Sequence, residues 1–460
     1  MIKLILSLFL VLLFGCKNFN NPPIAAVKTE GIPDRWQAGK NSDSSSHWLK
    51  DFNDQHLPKL VDEAIYSNWN FQASAARLEE AYAAAGIVTA DRFPVLNLEG
   101  NAARSRSGSG NIRQHSNEYG LFARLNWEID IWGRLKDREE SAKADARSQF
   151  YTFQAARLSL AASVSRFWFN AVEAKLQLLL AEETEKSFLN TSEIIDERFK
   201  RGISEALDVR LANVDLANAR QNTQQRKVNF DEAVRALEVL LGRYPKGEIA
   251  VSQTLPEIIE NIPLGLPAEM LNRRPDILAA LEALQAANFK VSEKKKELLP
   301  GISLSASMGN RAESVEDIFN AEKILWNLAG NLSQPILQGG RIQSRIAQAK
   351  AREKIEFATL MQLVYDACLE VESAVSAEKF LLEKEKQIAV SVEESQKAFE
   401  LARDRYSKGL TDIITLLASQ RSEFNSRSRL LEVKLQRLLN RLNLYLALGG
   451  DFQESISEEN

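Results

Sequence analysis

The sequence predicts a mixed α and β membrane protein with an internal two-fold repeat, in which long helices are joined by pairs of strands. Three observations support this prediction. Similar segments recur at an offset of about 207 residues, two long stretches of equal length lack glycine and proline, and the segments between them alternate apolar and polar residues. The composition, 45% hydrophobic and 26% charged, excludes a disordered chain and a polytopic helical membrane protein.

The chain begins with an apolar leader, residues 1–15, which is too short to cross a ~30 Å bilayer core as a helix and is typical of a signal peptide. The leader ends in a Leu-Phe-Gly-Cys sequence that resembles a bacterial lipobox, although Phe14 is bulkier than the usual residue. Processing there would make Cys16 the mature N-terminus and attach acyl chains, palmitate among them, to it. Residues 16–46 would then form a lipid-anchored tether. The alternative is an ordinary leader with an incidental cysteine.

The remaining chain divides into two repeats. We predict the first repeat at residues 47–244, the second at residues 245–450 and an acidic, disordered tail at residues 451–460. The segments that align are Glu197–Ile203 with Asp404–Leu410, Gly133–Arg134 with Gly340–Arg341, and Leu241–Gly242 with Leu448–Gly449.

Each repeat contains a long stretch without glycine or proline. Residues 134–201 and 341–408 are 68 residues each, and the stretches 203–241 and 410–448 that follow are 39 residues each. A helix of 68 residues spans roughly 100 Å, which indicates a coiled coil or a tube rather than a globular core. Apolar residues spaced four and three apart predict the packing seam. The seam consists of Leu158, Ala162, Ser165, Phe169, Val172, Leu176 and Leu179, then Leu360, Val364, Ala367, Val371 and Ala374, and finally Leu431, Leu435, Leu438, Leu442 and Tyr445.

The segments between the helices predict strands, because apolar and polar residues alternate there. The predicted strands are residues 95–103, 119–132, 302–308 and 326–333, with polar connections at 104–117 and 310–322. Alternation of this kind marks the strands of an outer-membrane barrel, although a soluble sheet also alternates. Four strands are too few to close a barrel, and an open edge is not viable in lipid. Three copies of the chain would together supply twelve strands. The alternative is a soluble coiled-coil rod.

The sequence offers few residues for metal-dependent catalysis or for binding nucleic acid. With three histidines and two cysteines, the sequence has almost no ligands for the metal site of a zinc enzyme. Its net charge of −4 argues against nucleic acid as a partner. We therefore expect no enzymatic activity, no cofactor and no metal site. The basic run Lys294–Lys296 is predicted to be a solvated helix face.

The sequence resembles the TolC family of outer-membrane efflux ducts over about residues 30–450. Within that family it is most similar to the lipoprotein (NodT-like) branch that serves resistance-nodulation-division pumps. The residues that carry the resemblance are the signature Leu271-Asn272-Arg273-Arg274-Pro275-Asp276-Ile277, the opening-helix set Trp48, Phe52, Asp54, Leu57, Leu60, Val61 and Ala64, and the closing Leu446-Ala447-Leu448-Gly449-Gly450.

The resemblance implies a homotrimer with a twelve-stranded β-barrel in the outer membrane, continuous with a long periplasmic α-helical coiled-coil barrel. Residues 31–60 and 245–270 would form a collar around it. The implied partners are a periplasmic adaptor (membrane fusion) protein, an inner-membrane resistance-nodulation-division pump and outer-membrane lipid. The implied function is passive exit of small molecules, such as drugs, toxic compounds or metal ions, without catalysis.

The resemblance also implies a gate at the periplasmic tip. Helices reverse there, at Gly202 and Gly409, and glycine suits a helix end with positive φ. Arg405 and Tyr406 flank the second turn, and their hydrogen bonds are expected to hold that hairpin inward.

Tyrosine, arginine and acidic side chains narrow the tip in this branch. Tyr406 matches the tyrosine and Arg421 the arginine, but Ala418 stands where the family often has aspartate. A ring of carboxylates at a trimer axis would favour cations, and here it would have to come from Asp208 or Asp412. The alternative is that both are solvated turn and cap residues.

Two other functions stay open at this point. One is an exit duct of a type I protein secretion system, and the other is a non-conducting structural lipoprotein of the envelope. The Arg-Arg-Pro-Asp sequence that ends at Asp276 favours the efflux branch.

Overall fold

The structure is a computed structural model and describes residues 48–107, 114–258 and 267–450. These residues form two compact units. We call Arg77–Tyr151 with Ala279–Gln362 the sheet unit, and the other described residues the helical unit. Each unit takes segments from both halves of the chain. The predicted signal peptide, the tether with Cys16 and the acidic tail lie outside the described residues.

Long helices dominate the described part of the chain, as predicted. The two Gly/Pro-free stretches are single helices of 67 residues each, and each is followed by a helix of 35 residues. None of the helices in residues 48–107, 114–258 and 267–450 has the length and the apolar character that crossing a bilayer would require. The α-helices described are α1 (Leu57–Ser67), α2 (Trp69–Ala90), α3 (Arg134–Lys200), α4 (Ala206–Leu240), α5 (Pro267–Arg273), α6 (Pro275–Lys296), α7 (Arg341–Ser407) and α8 (Ile413–Ala447).

The predicted seam forms the core of the helical unit. All of its members in α7 are buried. Most of those in α3 and α8 are also buried, and the exceptions, which are partly exposed, are Leu176 and Leu179 in α3 and Leu431 and Leu435 in α8. The segment before α1 packs onto this core, with the Phe52 ring 5.1 Å from that of Phe169. Trp168 Nε1 donates to Asp54 Oδ2 at 2.7 Å, so the buried indole has a polar partner. The side-by-side packing of long helices is therefore confirmed.

Four antiparallel strands form one sheet in the order β1-β2-β3-β4. Both predicted hairpins are present, and β2 also pairs with β3, which joins the two halves of the chain. The strands are β1 (Val95–Ser107), β2 (Gln114–Ile129), β3 (Gly301–Ala312) and β4 (Leu325–Ser333).

The predicted strand bounds are wrong at four places, one of which is the start of β2, at Gln114 rather than Tyr119. The polar connections begin later than predicted, because β1 continues to Ser107 and β3 to Ala312. Backbone groups make the ladder, so polar side chains do not end a strand. In contrast, Trp132 lies outside β2. There Asp130 Oδ2 accepts a hydrogen bond from the Lys136 backbone N–H at 2.8 Å, which turns the chain into α3.

The strand register sorts the sheet into an apolar face and a polar face. Leu96, Leu125, Ala306 and Leu328 form one row across all four strands. The apolar face carries Leu96 and Leu98, then Tyr119, Leu121, Ala123, Leu125, Trp127 and Ile129, then Ile302, Leu304, Ala306 and Met308, and finally Trp326, Leu328 and Leu332. The polar face carries the ion pairs Arg124–Glu99, at 3.0 Å, and Arg311–Glu118, at 3.2 Å.

The same junction occurs once in each half of the helical unit. Asn68 Nδ2 donates to the carbonyl of Leu240, at the end of α4, at 2.8 Å. Arg274 Nη1 donates to the carbonyl of Ala447, at the end of α8, at 3.1 Å. In both halves a buried polar side chain, directly before α2 or α6, satisfies a carbonyl that has no partner within its own helix.

A glycine completes each junction. Gly242 has a φ of +73°, and a Cβ there would lie 2.4 Å from the carbonyl oxygen of Ser67. Gly449 has a φ of +93°, and a Cβ there would lie 3.0 Å from the Arg273 carbonyl carbon. The backbone of Ser67 therefore leaves no room for a Cβ at Gly242, and a Cβ at Gly449 would require its neighbours to move by a few tenths of an ångström.

The predicted solvated face at Lys294–Lys296 is wrong. Lys296 Nζ lies 2.7 Å from Asp137 Oδ2, and Lys294 Nζ lies 2.7 Å from Glu297 Oε1. These lysines are partly buried because α6 packs beside acidic residues at the start of α3. Desolvation is tolerable there because each ammonium has a carboxylate partner.

Candidate functional site at the helical tip

Two tight turns form one end of the helical unit. Gly202 follows α3 with a φ of +73°, and Gly409 follows α7 with a φ of +74°. The N–H of Ile203 donates to the carbonyl of Arg198 at 2.9 Å, and that of Leu410 to Arg405 at 2.9 Å. Both turns therefore end their helix with the same glycine-dependent motif. The space around either α-carbon is open, so the positive φ alone favours glycine.

Tyr406 lies between the two hairpins. Its ring is 6% exposed and belongs to a core with Ile195, Leu216 and Leu416. The hydroxyl is 3.5 Å from Ser204 Oγ, across the first turn. The tyrosine thus packs one hairpin against the other within a single protomer.

The arginine that contacts Tyr406 is Arg198, from the first hairpin. Its guanidinium carbon lies 5.0 Å from the centre of the tyrosine ring, a cation–π arrangement. Arg198 Nη1 also donates to the Ser407 carbonyl at 3.2 Å. Arg405 itself is exposed, and its side chain makes no hydrogen bond or ion pair with the residues that the structure describes. Residues 198 and 405 are equivalent in the two predicted repeats. The hydrogen bond between the hairpins that was expected of Arg405 is made by Arg198 instead.

The two candidate acids of the tip are helix caps. Asp412 Oδ1 accepts from the Thr415 N–H at 2.7 Å, and this hydrogen bond lowers the pKa of the Asp412 carboxyl. Asp208 is the third residue of α4, and its Oδ2 accepts from the Glu205 N–H at 3.3 Å in a capping box. Asp412 is exposed and Asp208 is partly exposed.

Arg421 has an acidic partner that we did not predict. Its Nη1 lies 3.5 Å from Oδ1 of Asp215, which is buried on α4, two helical turns after Asp208. Burial raises the pKa of the Asp215 carboxyl, and the charge of Arg421 opposes that shift. The pair links α4 to α8. Asp215 lies three residues after the buried Ala212, on the face of α4 that packs into the core and is otherwise mostly apolar.

Next to this pair, α3 and α8 share buried polar side chains. Gln420 is fully buried; its Nε2 donates to Ser187 Oγ at 2.9 Å and its Oε1 accepts from Thr191 Oγ1 at 3.2 Å. About two helical turns further along α8, Arg427 binds both carboxylate oxygens of Glu183, at 2.6 and 2.8 Å. The helices at the tip are therefore joined by directional polar contacts as well as by apolar packing.

The side chains described at the tip hold helices together. Asp412 and Asp208 are engaged in helix caps, and Arg421 pairs with Asp215 between helices. Within residues 48–107, 114–258 and 267–450, no group of three or more His, Cys, Asp or Glu side chains is arranged to hold a metal ion.

Comparison with known proteins agrees with this architecture. The chain is 29% identical over 413 residues to the cation efflux system protein CusC of Escherichia coli O6:H1, covering 88% of each protein. It is 30% identical over 418 residues to the outer membrane protein OprJ of Pseudomonas aeruginosa, covering 89% of this chain and 87% of OprJ. The solved outer-membrane channel OprN superposes with a TM-score of 0.85 at 26% identity, over 94% of this chain and 99% of that one.

The sequence profile of a family described as outer membrane efflux protein matches this chain in two segments, residues 60–243 and 266–450. The first segment contains α2, both strands of the first hairpin and the long helices α3 and α4. The second contains the equivalent elements of the other half. The chain belongs to the outer membrane efflux protein family.

Proposed function

We propose that the chain is the outer-membrane exit duct of a tripartite efflux system. It conducts small molecules passively, after an inner-membrane resistance-nodulation-division pump and a periplasmic adaptor have delivered them. The observation that carries this proposal is the four-stranded sheet, which has one apolar face and one polar face. Membership of the efflux family supports it. The duct performs no catalysis, and the pump selects among drugs, toxic compounds or metal ions.

Assembly as a homotrimer completes the sheet. The outer edges of β1 and β4 have no partner among the described strands, and unpaired edges are not viable in lipid. Three sheets joined edge to edge give a twelve-stranded barrel with the apolar faces outward. Along β2, Tyr119 and Trp127 are eight residues apart, or ~27 Å, close to the ~25 Å apolar band between aromatic girdles of such barrels.

The long helices extend the duct into the periplasm as a coiled-coil barrel, in this proposal. The matched pairs of 67-residue and 35-residue helices support an internal two-fold repeat, and so do the equivalent junctions at Leu240 and Ala447. Residues 1–15 act as the signal peptide, and Cys16 carries the lipid that anchors each protomer in the outer membrane.

Mass spectrometry tests both anchoring and assembly. The mature chain should lack residues 1–15 and carry acyl mass at Cys16, and the native complex in detergent should contain three copies. The Cys16→Ser variant should lose the acyl mass and remain trimeric, because the sheet rather than the lipid closes the barrel. An acylated serine variant contradicts the lipoprotein assignment, and a stable monomer contradicts the barrel.

The tip acts as the periplasmic gate in this proposal. Tyr406 and the Arg421–Asp215 pair hold the hairpins together within a protomer. The exposed side chains of Arg405 and Asp412 are placed at the same end, where neighbouring protomers would meet.

The gate proposal predicts an effect of Asp215→Asn. Losing a partly exposed ion pair removes about 1 kcal/mol, which corresponds to about a fivefold change in a two-state equilibrium. We therefore expect resting conductance in planar bilayers to rise by about fivefold. Asp208→Asn is the matched control, because that carboxylate caps the same helix without contacting Arg421. Equal conductance in Asp215→Asn and the wild-type protein would place the constriction elsewhere.

A further inference from the structure

The connection between β3 and β4, residues 313–324, is folded rather than open. Two short 3₁₀ turns, Glu316–Phe319 and Ala321–Lys323, shape it. Asp317 ties the loop internally, since its carboxylate accepts from Ser314 Oγ at 3.1 Å and pairs with Lys323 Nζ at 3.2 Å. The loop is therefore held together by contacts among its own side chains.

Asn310 clasps this loop to the sheet. Its Nδ2 lies within hydrogen-bond distance of three backbone carbonyls, those of Asp317 at 3.0 Å, Ile318 at 3.1 Å and Asn320 at 3.1 Å. Its Oδ1 accepts from the Arg311 N–H at 2.9 Å, which fixes the amide orientation. Asn310 is only 3% exposed, although it lies near the end of a strand.

The strand register shows which face the loop covers. Asn310 pairs with Leu121, and Met308, two residues earlier on the same face, pairs with Ala123. Asn310 therefore projects from the apolar face, and the carbonyls that cover it lie on that side of the sheet. The loop folds back over the outer end of the apolar face rather than over the polar face.

An aromatic side chain stands out from the folded loop. Phe319, in the loop that covers Asn310, is 78% exposed, and Trp326, on the apolar face at the start of β4, is 77% exposed. Tyr119 lies at the same end of β2, opposite Ala312. Tyr119 and Trp326 lie towards the loop end of the apolar face, and Trp127 lies towards the opposite end, one row before Ile129 and Ile302. Aromatic side chains are enriched where a barrel meets the membrane interface.

We propose that the loop 313–324 is a membrane anchor that binds the outer leaflet of the lipid bilayer. Asn310 holds the loop outward, and Phe319 contacts lipid at the boundary between hydrocarbon and headgroups. The loop consequently leaves the mouth of the duct open. This inference rests on the proposed barrel, because it takes the apolar face of the sheet as the lipid-facing one.

Spin labels measure the environment of Phe319 directly. Single cysteines are introduced by Phe319→Cys, Leu328→Cys and Asn327→Cys in a Cys368→Ser background, and the labelled parent gives the background signal. Collision with oxygen reports lipid, and collision with a water-soluble nickel chelate reports water. Leu328 lies on the apolar face and the adjacent Asn327 on the polar face, so they calibrate the two environments within one strand.

We expect the ratio of oxygen to nickel collisions at Phe319 to be closer to that at Leu328 than to that at Asn327. A ratio equal to that at Asn327 overturns the inference, because Phe319 would then face water. Protection from both reagents also overturns it, because another protein surface would cover the residue. If Leu328 itself is open to the nickel chelate, the proposed barrel is wrong and the inference fails with it.

The Asn310→Asp variant tests whether Asn310 holds the loop to the sheet. The substitution keeps the size of the side chain but places a carboxylate against three carbonyl oxygens, so the loop should be released. We expect the ratio at Phe319 to fall towards that at Asn327, while the ratio at Leu328 stays unchanged and shows that the barrel is intact. An unchanged ratio at Phe319 contradicts the role assigned to Asn310.

Discussion

Replacing Arg274 by alanine is expected to destabilise the helical unit by about 3 kcal/mol, the lower end of the range for breaking a buried ion pair. The guanidinium is buried, and it contacts the carboxylates of Asp276, at 2.7 Å, and Glu370, at 2.6 Å, besides the Ala447 carbonyl. Both carboxylates keep contact with water, so the residual penalty is moderate. Arg274 therefore ties the start of α6 to α7 and to the end of α8.

Denaturant unfolding followed by circular dichroism in detergent measures this effect. The matched control is Arg405, which is exposed and has no side-chain ion pair among the described residues, so Arg405→Ala should change the free energy of unfolding by no more than about 0.5 kcal/mol. Arg274→Lys should recover only part of the loss, because an ammonium cannot make the forked contacts of a guanidinium. Equal effects of the two alanine variants would contradict the role assigned to Arg274.

Gly242→Ala should destabilise the chain by about 3 kcal/mol, whereas Gly202→Ala should cost about 1 kcal/mol. The two glycines have the same φ of +73°, so the conformational penalty is shared. They differ in their surroundings, because a Cβ at Gly242 meets the Ser67 carbonyl oxygen at 2.4 Å and one at Gly202 meets nothing within 4 Å. The difference between the two variants, measured by the same unfolding assay, isolates the steric conflict at the junction. Equal losses would show that the junction can shift to admit a methyl group.

The regular elements of this fold could be predicted from local patterns. Absence of glycine and proline gave the bounds of α3 and α7 to within one residue, since nothing else in those stretches stops a helix. Alternation identified the strands, but the ends of β1 and β3 were missed, because backbone pairing with the neighbouring strand sets them. Side-chain polarity carries little information about where such pairing stops.

The candidate site was predicted only in part, because it depends on contacts between distant segments. The family resemblance pointed to Tyr406 and Arg421, yet their partners Arg198 and Asp215 lie some 200 residues away along the chain. No local pattern distinguishes Arg198 from Arg405, since the repeats place an arginine at both positions. Asp215 carried a weak signal, namely a charge among the apolar residues Ala212, Leu216 and Ala219 of α4.

Single-channel recording of the purified trimer in planar bilayers tests the central claim most directly. A passive duct predicts discrete conductance steps, each from one inserted complex, without nucleotide or any other energy source. A correctly folded, membrane-inserted trimer that gives no conductance steps, even when Asp215→Asn loosens the tip, would contradict the account and favour a structural envelope lipoprotein.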